Sequence, residues 1–154
     1  MDKEGQLISE GRQIMAKFLT ELDVQLKESD EKIWVLISPL IYQSDLMKCD
    51  IKVPAGFESD LASVPRVPVA YMFWGGRCHR EAFLHDYAYR KDSVPIFSFR
   101  EANAVFLEAM KARNKRVYVR YPMWWGVVAG GWFSYHKKLV NYRSQLPRPN
   151  GRSL

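Results

Sequence analysis

The chain has 154 residues, is 47% hydrophobic and 26% charged, and carries a formal net charge of +6. That length supports one globular unit with a core of its own, and 14% aromatic residues exclude a globally disordered chain. Two cysteines, Cys49 and Cys78, are too few for a disulfide scaffold or a four-cysteine zinc site.

In chain order, residues 4–28 predict an amphipathic helix. Ile8, Met15, Phe18, Leu19, Leu22 and Leu26 recur at helical spacing, Gly5 and Gly11 weaken the first turns, and Ser29-Asp30 breaks the pattern. Residues 1–30 thus read as a helical extension suited to docking. Residues 32–38 predict a strand through Ile33-Trp-Val-Leu-Ile37, ended by Pro39, and a second short strand is expected at 40–44. Residues 49–53 alternate, with Cys49, Ile51 and Val53 on one face and Asp50 and Lys52 on the other. Pro54-Ala-Gly56 turns the chain, and residues 57–68, with two prolines, read as a loop in which Asp60 and Ser63 suit a side-chain-to-backbone turn.

Residues 78–91 predict a helix carrying His85, Asp86 and Tyr89. Residues 98–114 predict another, opened by a capping box of Ser98 and Glu101. Its apolar face is Ala102, Val105, Phe106, Ala109 and Met110, with Asn103 at the border. A last helix is expected over 123–141, followed from Gln145 by an irregular tail. The sum is an α+β fold: a small antiparallel sheet packed with three or more helices, divided into the 1–30 extension, a 31–115 core and a basic, aromatic helix and tail over 116–154.

The charge is uneven. Residues 1–31 sum to −4, residues 32–110 to zero, and residues 111–154 to +10 with no acidic residue. A basic end suits nucleic acid, anionic lipid or an acidic protein face, or it is simply a solvated surface. Nucleic acid is not favoured, because no recognisable nucleic-acid fold accompanies the charge. The acidic, polar start carries no secretory signal pattern. The longest weakly charged apolar run, Tyr121 to Tyr135, falls short of the roughly 20 residues that cross a bilayer, so no transmembrane span is expected. Trp124, Trp125, Trp132, Phe133 and Tyr135, with Lys137 and Lys138 beside them, suit either a buried helix or a membrane surface.

The sharpest local feature is Phe83-Leu-His-Asp-Tyr-Ala-Tyr-Arg90. Neighbouring His85 and Asp86 supply an imidazole and a carboxylate about 100° apart on a helix. His85 can act as general base, with Asp86 as cation ligand or orienter, and Tyr89 lies in reach of either. Asp60 could complete a carboxylate–histidine–carboxylate set around a divalent cation, making Asp60, His85 and Asp86 the candidate metal ligands. A Ser63–His85–Asp60 hydrolase triad is a weaker option, because Ser63 lacks a nucleophile-elbow setting. The alternative is a partly buried histidine bonded for structural reasons alone. His79 falls off this cluster, and His136 is remote in sequence.

Three blocks, Val53-Pro-Ala-Gly-Phe-Glu-Ser-Asp-Leu-Ala-Ser-Val-Pro-Arg66, Leu84-His-Asp-Tyr-Ala-Tyr-Arg90 and Arg100-Glu-Ala-Asn-Ala-Val-Phe-Leu-Glu-Ala-Met110, resemble the phage and prophage domain-of-unknown-function family numbered 1353, over roughly residues 32–115. The resemblance implies a phage origin, a small α+β domain, residence in the host cytoplasm during infection or within the virion, and phage proteins as partners. Locally, His85-Asp-x-Ala-Tyr89 is similar to the phospholipase A2 pattern. That likeness implies His85 as base toward a water, Asp86 as calcium ligand, and Asn103 at the second-helix position that orients the histidine. Asn103 supplies no negative charge, and no clear Gly-rich calcium loop is present. Two functions follow as alternatives. One is a metal-assisted hydrolase acting on lipid or cell-envelope bonds through His85, Asp86, Asp60 and Asn103. The other is a non-enzymatic virion or accessory protein docking through its N-terminal helix and basic tail.

Overall fold

The computed structural model describes residues 15–61 and 78–136. Its elements run β1 (Lys17–Phe18), β2 (Val24–Lys27), β3 (Asp30–Leu36), β4 (Leu40–Ser44), β5 (Cys49–Val53), β6 (Glu58–Ser59), α1 (His79–Ala88), α2 (Phe99–Ala112) and α3 (Val117–Gly131). Among the described residues, six strands form two three-stranded antiparallel sheets, ordered β1-β4-β5 and β2-β3-β6. The α+β expectation holds, with two small sheets in place of one.

The described part of the expected N-terminal helix is not helical. Lys17–Phe18 pairs with Gln43 and Tyr42, and Val24–Lys27 forms a hairpin with β3. Phe18, Leu22 and Val24 pack against the core. Of the residues whose spacing suggested a helix, Phe18 of β1 and Leu22 of the link reach the core, while Met15, Leu19 and Leu26 are exposed. The backbone pairings that decide the matter, of β1 with the distant β4 and of β2 with β3 across a hairpin, are ones that local periodicity does not register. Residues 4–14 of that expectation lie outside the described residues.

The β4-β5 hairpin shows why the alternation in the sequence matters. Leu40, Tyr42 and Ser44 point inward from β4, and Ile51 and Val53 from β5, all buried. Cys49 is exposed despite sharing their parity, because it opens β5 just past Lys48, whose φ is 56°. Cys78 is buried, and both thiols are free. Glu108 of α2 ties this hairpin to the helices. Its carboxylate accepts from the Tyr42 hydroxyl at 3.0 Å, the Ser44 hydroxyl at 2.8 Å and the Leu46 amide at 2.8 Å.

α1 is the central helix: Glu81 through Ala88 are all buried. α2 is amphipathic and starts on the expected capping box, with Ser98 accepting from the Glu101 amide at 3.2 Å and Glu101 accepting from the Ser98 amide at 2.8 Å. α3 starts at Val117, not at 123, and holds Pro122 inside it. Pro122 reads in sequence as a helix start, but it lies on the solvent side of an element already under way. The helix ends at Gly131, short of the expected 141. Residues 132–136 are turns, closed where the His136 amide donates to the Tyr89 carbonyl at 2.9 Å. Residues 137–141 of that expectation lie outside the described residues. Met123 and Val127 of α3 are part of the same core as Leu36, Tyr42, Phe83 and Phe106, so one core joins the strands to all three helices.

Candidate functional site

His85 sits in the middle of α1, 1% exposed, and faces α2. Its Nε2 lies 3.1 Å from Asn103 Oδ1. The Asn103 amide is oriented by its own Nδ2, which donates to the Phe99 carbonyl one turn earlier at 2.9 Å. The oxygen therefore faces His85 and also accepts from the Tyr89 hydroxyl at 2.7 Å. This settles the tautomer: Nε2 carries the proton, and Nδ1 carries the lone pair. The Asn103 carbonyl accepts from the Trp124 indole at 3.1 Å, which brings α3 into the same network. The rings of Tyr89 and Phe106 pack on the imidazole at 4.1 and 4.8 Å between centroids.

This setting holds His85 neutral. Burial disfavours the imidazolium and outweighs the hydrogen bond to Asn103, bringing its pKa down to about 4. Nδ1 is buried and has no hydrogen-bond partner among the described residues. The Tyr89 hydroxyl is pushed up by burial, so it stays a donor.

Asp86 points elsewhere. Its Oδ2 accepts from the Ser59 hydroxyl, and Ser59 also accepts from the Leu61 amide at 3.1 Å. The neighbouring residues of α1 therefore serve different contacts: His85 joins helix to helix, and Asp86 joins helix to β6. Asp60 follows β6 and is exposed. Ser63 lies outside the described residues. Among the described residues no group of three or more His, Cys, Asp or Glu side chains converges to hold a metal ion, and the expected Asp60–His85–Asp86 set forms no such group.

The remaining histidines are elsewhere. His79 opens α1, and burial lowers its pKa, helped by Lys115. His136 stacks on Tyr135 with centroids 3.9 Å apart. Sequence reasoning brought His85, Asn103 and Tyr89 to one neighbourhood. It gave Tyr89 the wrong partner, since the hydroxyl meets Asn103 and not His85 or Asp86. It missed Ser59 and Trp124. Ser59 was legible in principle: it is the inward residue of the short alternation in Phe57-Glu-Ser-Asp60.

No curated protein and no solved structure matches the chain. A family model does, over residues 34–127, which carries the likeness past the three sequence blocks and into α3. Phe57, Ser59, His85, Asp86, Asn103 and Trp124 all fall inside that span. The chain therefore belongs to the family of proteins of unknown function DUF1353.

Proposed function

We propose that this chain is a small phage accessory protein that works by docking rather than by turnover. In this reading His85, Asn103 and Tyr89 brace the three helices, and the basic C-terminal quarter, residues 116–154, meets an anionic partner. The observation that carries it is the position of His85, 1% exposed, locked to a neutral amide and held near pKa 4 by burial. A general base works best with a pKa near the operating pH, and this imidazole lies far below it. Buried polar networks of this kind specify how helices pack.

A second reading keeps the hydrolase. It is favoured by one feature, the unpartnered lone pair of His85 Nδ1, which is where a water would be activated if one reached it. Asp86, fixed by Ser59, would then stand beside it as an electrostatic or cation-binding group, with Asn103 orienting the ring and Asp60 as the outer carboxylate.

The two readings separate in one assay. Purified protein is given phospholipid vesicles and peptidoglycan, with and without calcium, beside a His85→Gln variant. The docking reading expects no turnover in any condition and a less stable variant. Turnover that needs His85 overturns it in favour of the hydrolase.

A further inference from the structure

The outward face of α3 is aromatic along its length. Tyr118, Tyr121 and Trp125 follow at spacings of three and four on the helix, and Trp132, seven further on, is its C-cap with helical backbone angles, so the four share one stripe. They are 57%, 37%, 63% and 64% exposed. The opposite face, through Met123, Val127 and Gly131, is buried against the core. The stripe is thus a second apolar face on a helix whose first is already used.

Charge frames this stripe. Lys111, Arg113, Lys115, Arg116 and Arg120 precede or open it, Lys137 and Lys138 follow it, and no acidic residue occurs anywhere from 111 to 154. The guanidinium groups of Arg116 and Arg120 lie 5.8 and 5.4 Å from the ring centroids of Tyr118 and Tyr121, so cation and aromatic present together. Between Tyr121 and Tyr135 there is no lysine or arginine at all.

We infer that α3 is an interfacial helix that lays its Tyr118–Trp132 stripe into the headgroup region of an anionic lipid surface. Tyrosine and tryptophan are the side chains that settle at that depth, with a polar atom for the headgroups and a ring for the acyl boundary. Arg116 and Arg120 at its start meet lipid phosphates while the uncharged remainder sinks in. The helix lies along the surface. At about 1.5 Å per residue its stripe is roughly 20 Å long, and no helix among the described residues is long and apolar enough to cross a membrane.

Charge complementarity selects this occupant. A second copy packed stripe to stripe would set the cations of residues 111–120 against their like. A nucleic-acid strand lying along the stripe would meet no cation between Tyr121 and Tyr135, whereas such binding relies on phosphate neutralisation along the groove. A lipid surface needs cations only at the rim.

The inference rests on the docking reading above and names its partner. The test is co-sedimentation of the full chain with phosphatidylglycerol-containing vesicles and with pure phosphatidylcholine vesicles. A Tyr118→Ser/Trp125→Ser double variant, altered only at exposed positions, is run beside it. Binding is expected to the anionic vesicles, with at least about a tenfold loss in the double variant and a steep loss as salt shortens the Debye length from about 10 Å at 0.1 M to about 3 Å at 1 M. Tryptophan quenching by brominated lipid is expected in the parent and reduced in the variant, and circular dichroism is expected to be the same for both. No vesicle binding, equal binding by the variant, or binding to a single-stranded oligonucleotide in place of vesicles overturns the lipid assignment. Lack of vesicle binding together with lack of turnover overturns the lipid assignment alone. Turnover dependent on His85 overturns the docking reading itself.

Discussion

The amide of Asn103 receives two donors in the core, His85 Nε2 and the Tyr89 hydroxyl, and spends its own N–H on Phe99. Replacing it by aspartate keeps the acceptor and adds a negative charge beside the imidazole. Asn103→Asp is therefore expected to raise the His85 pKa well above its present value of about 4, read directly by NMR titration of the ring. A His85 titration that does not move would refute the placement of residue 103 against the ring. The same group sets an acid limit. His85 has a folded pKa of about 4 against an ordinary value of 6.5, so the unfolded chain binds more protons between those pH values. Its contribution to stability is full above pH 6.5 and is lost as pH falls toward 4, by up to about 3 kcal/mol. Urea midpoints at pH 7 and pH 4.5 should show that loss in the parent and less of it in Asn103→Asp. The pairing of His85 with Asn103 was implied by the likeness of His85-Asp-x-Ala-Tyr89 to the phospholipase A2 pattern, which puts Asn103 at the second-helix position. The depth of burial was not, since α1 is buried from Glu81 to Ala88 by elements distant in the chain, which nothing local to His85 encodes.

At the scale of elements, two contacts decide how helices meet their neighbours. Glu108 joins α2 to the β4-β5 hairpin by accepting from Tyr42, Ser44 and the Leu46 amide. Glu108→Ala leaves the Tyr42 and Ser44 hydroxyls, both on fully buried residues, without that acceptor, and should cost about 3 kcal/mol in a urea melt. Gly131 ends α3 where it meets Tyr89. A Cβ there would stand 2.3 Å from the Tyr89 hydroxyl oxygen and 2.9 Å from its ring. Tyr89 has little room to yield, since its hydroxyl is bonded to Asn103 and its ring lies against Phe99 and Tyr135. Gly131→Ala is therefore expected to lower stability by about 1–2 kcal/mol, against the gain of about 1 kcal/mol that alanine brings to a helix. A neutral or stabilising result would show that Tyr89 moves freely. These contacts also mark where the fold was readable. The β4 and β5 alternation and the Ser98–Glu101 box are local, and they were predicted within a residue or two. The strands at Lys17–Phe18 and Val24–Lys27 were not, because the register that holds them is set by β4 and β3.

Across the whole molecule, the net charge of +6 is a sum of opposed parts, and its basic share falls where it works against the fold. α3 follows Arg116, an N-cap whose side chain makes no capping hydrogen bond, and has no acidic residue in its first turn. The positive end of the helix dipole thus meets a cluster of like charges, Lys111, Arg113, Lys115, Arg116 and Arg120. Arg116→Asp would supply a capping carboxylate, satisfy a free helix N–H and relieve repulsion at once. It gives up the contacts of the arginine with Tyr118, a hydrogen bond of 3.0 Å and a cation–π pair. The cap and dipole terms outweigh an exposed contact of that kind, so a net gain of about 1 kcal/mol is expected in a thermal or urea melt. If the basic face of α3 serves an anionic surface, the same change must weaken vesicle binding, since it replaces a cation at the rim of the stripe by an anion. Stability and binding should therefore move in opposite directions in this one variant. A gain in stability with binding unchanged would leave the arginine at this cap without a docking role. A loss of both would mean that the Arg116–Tyr118 contact holds the stripe in shape. Only the opposed pair of results fits a helix whose start is tuned for its partner at the expense of its own cap.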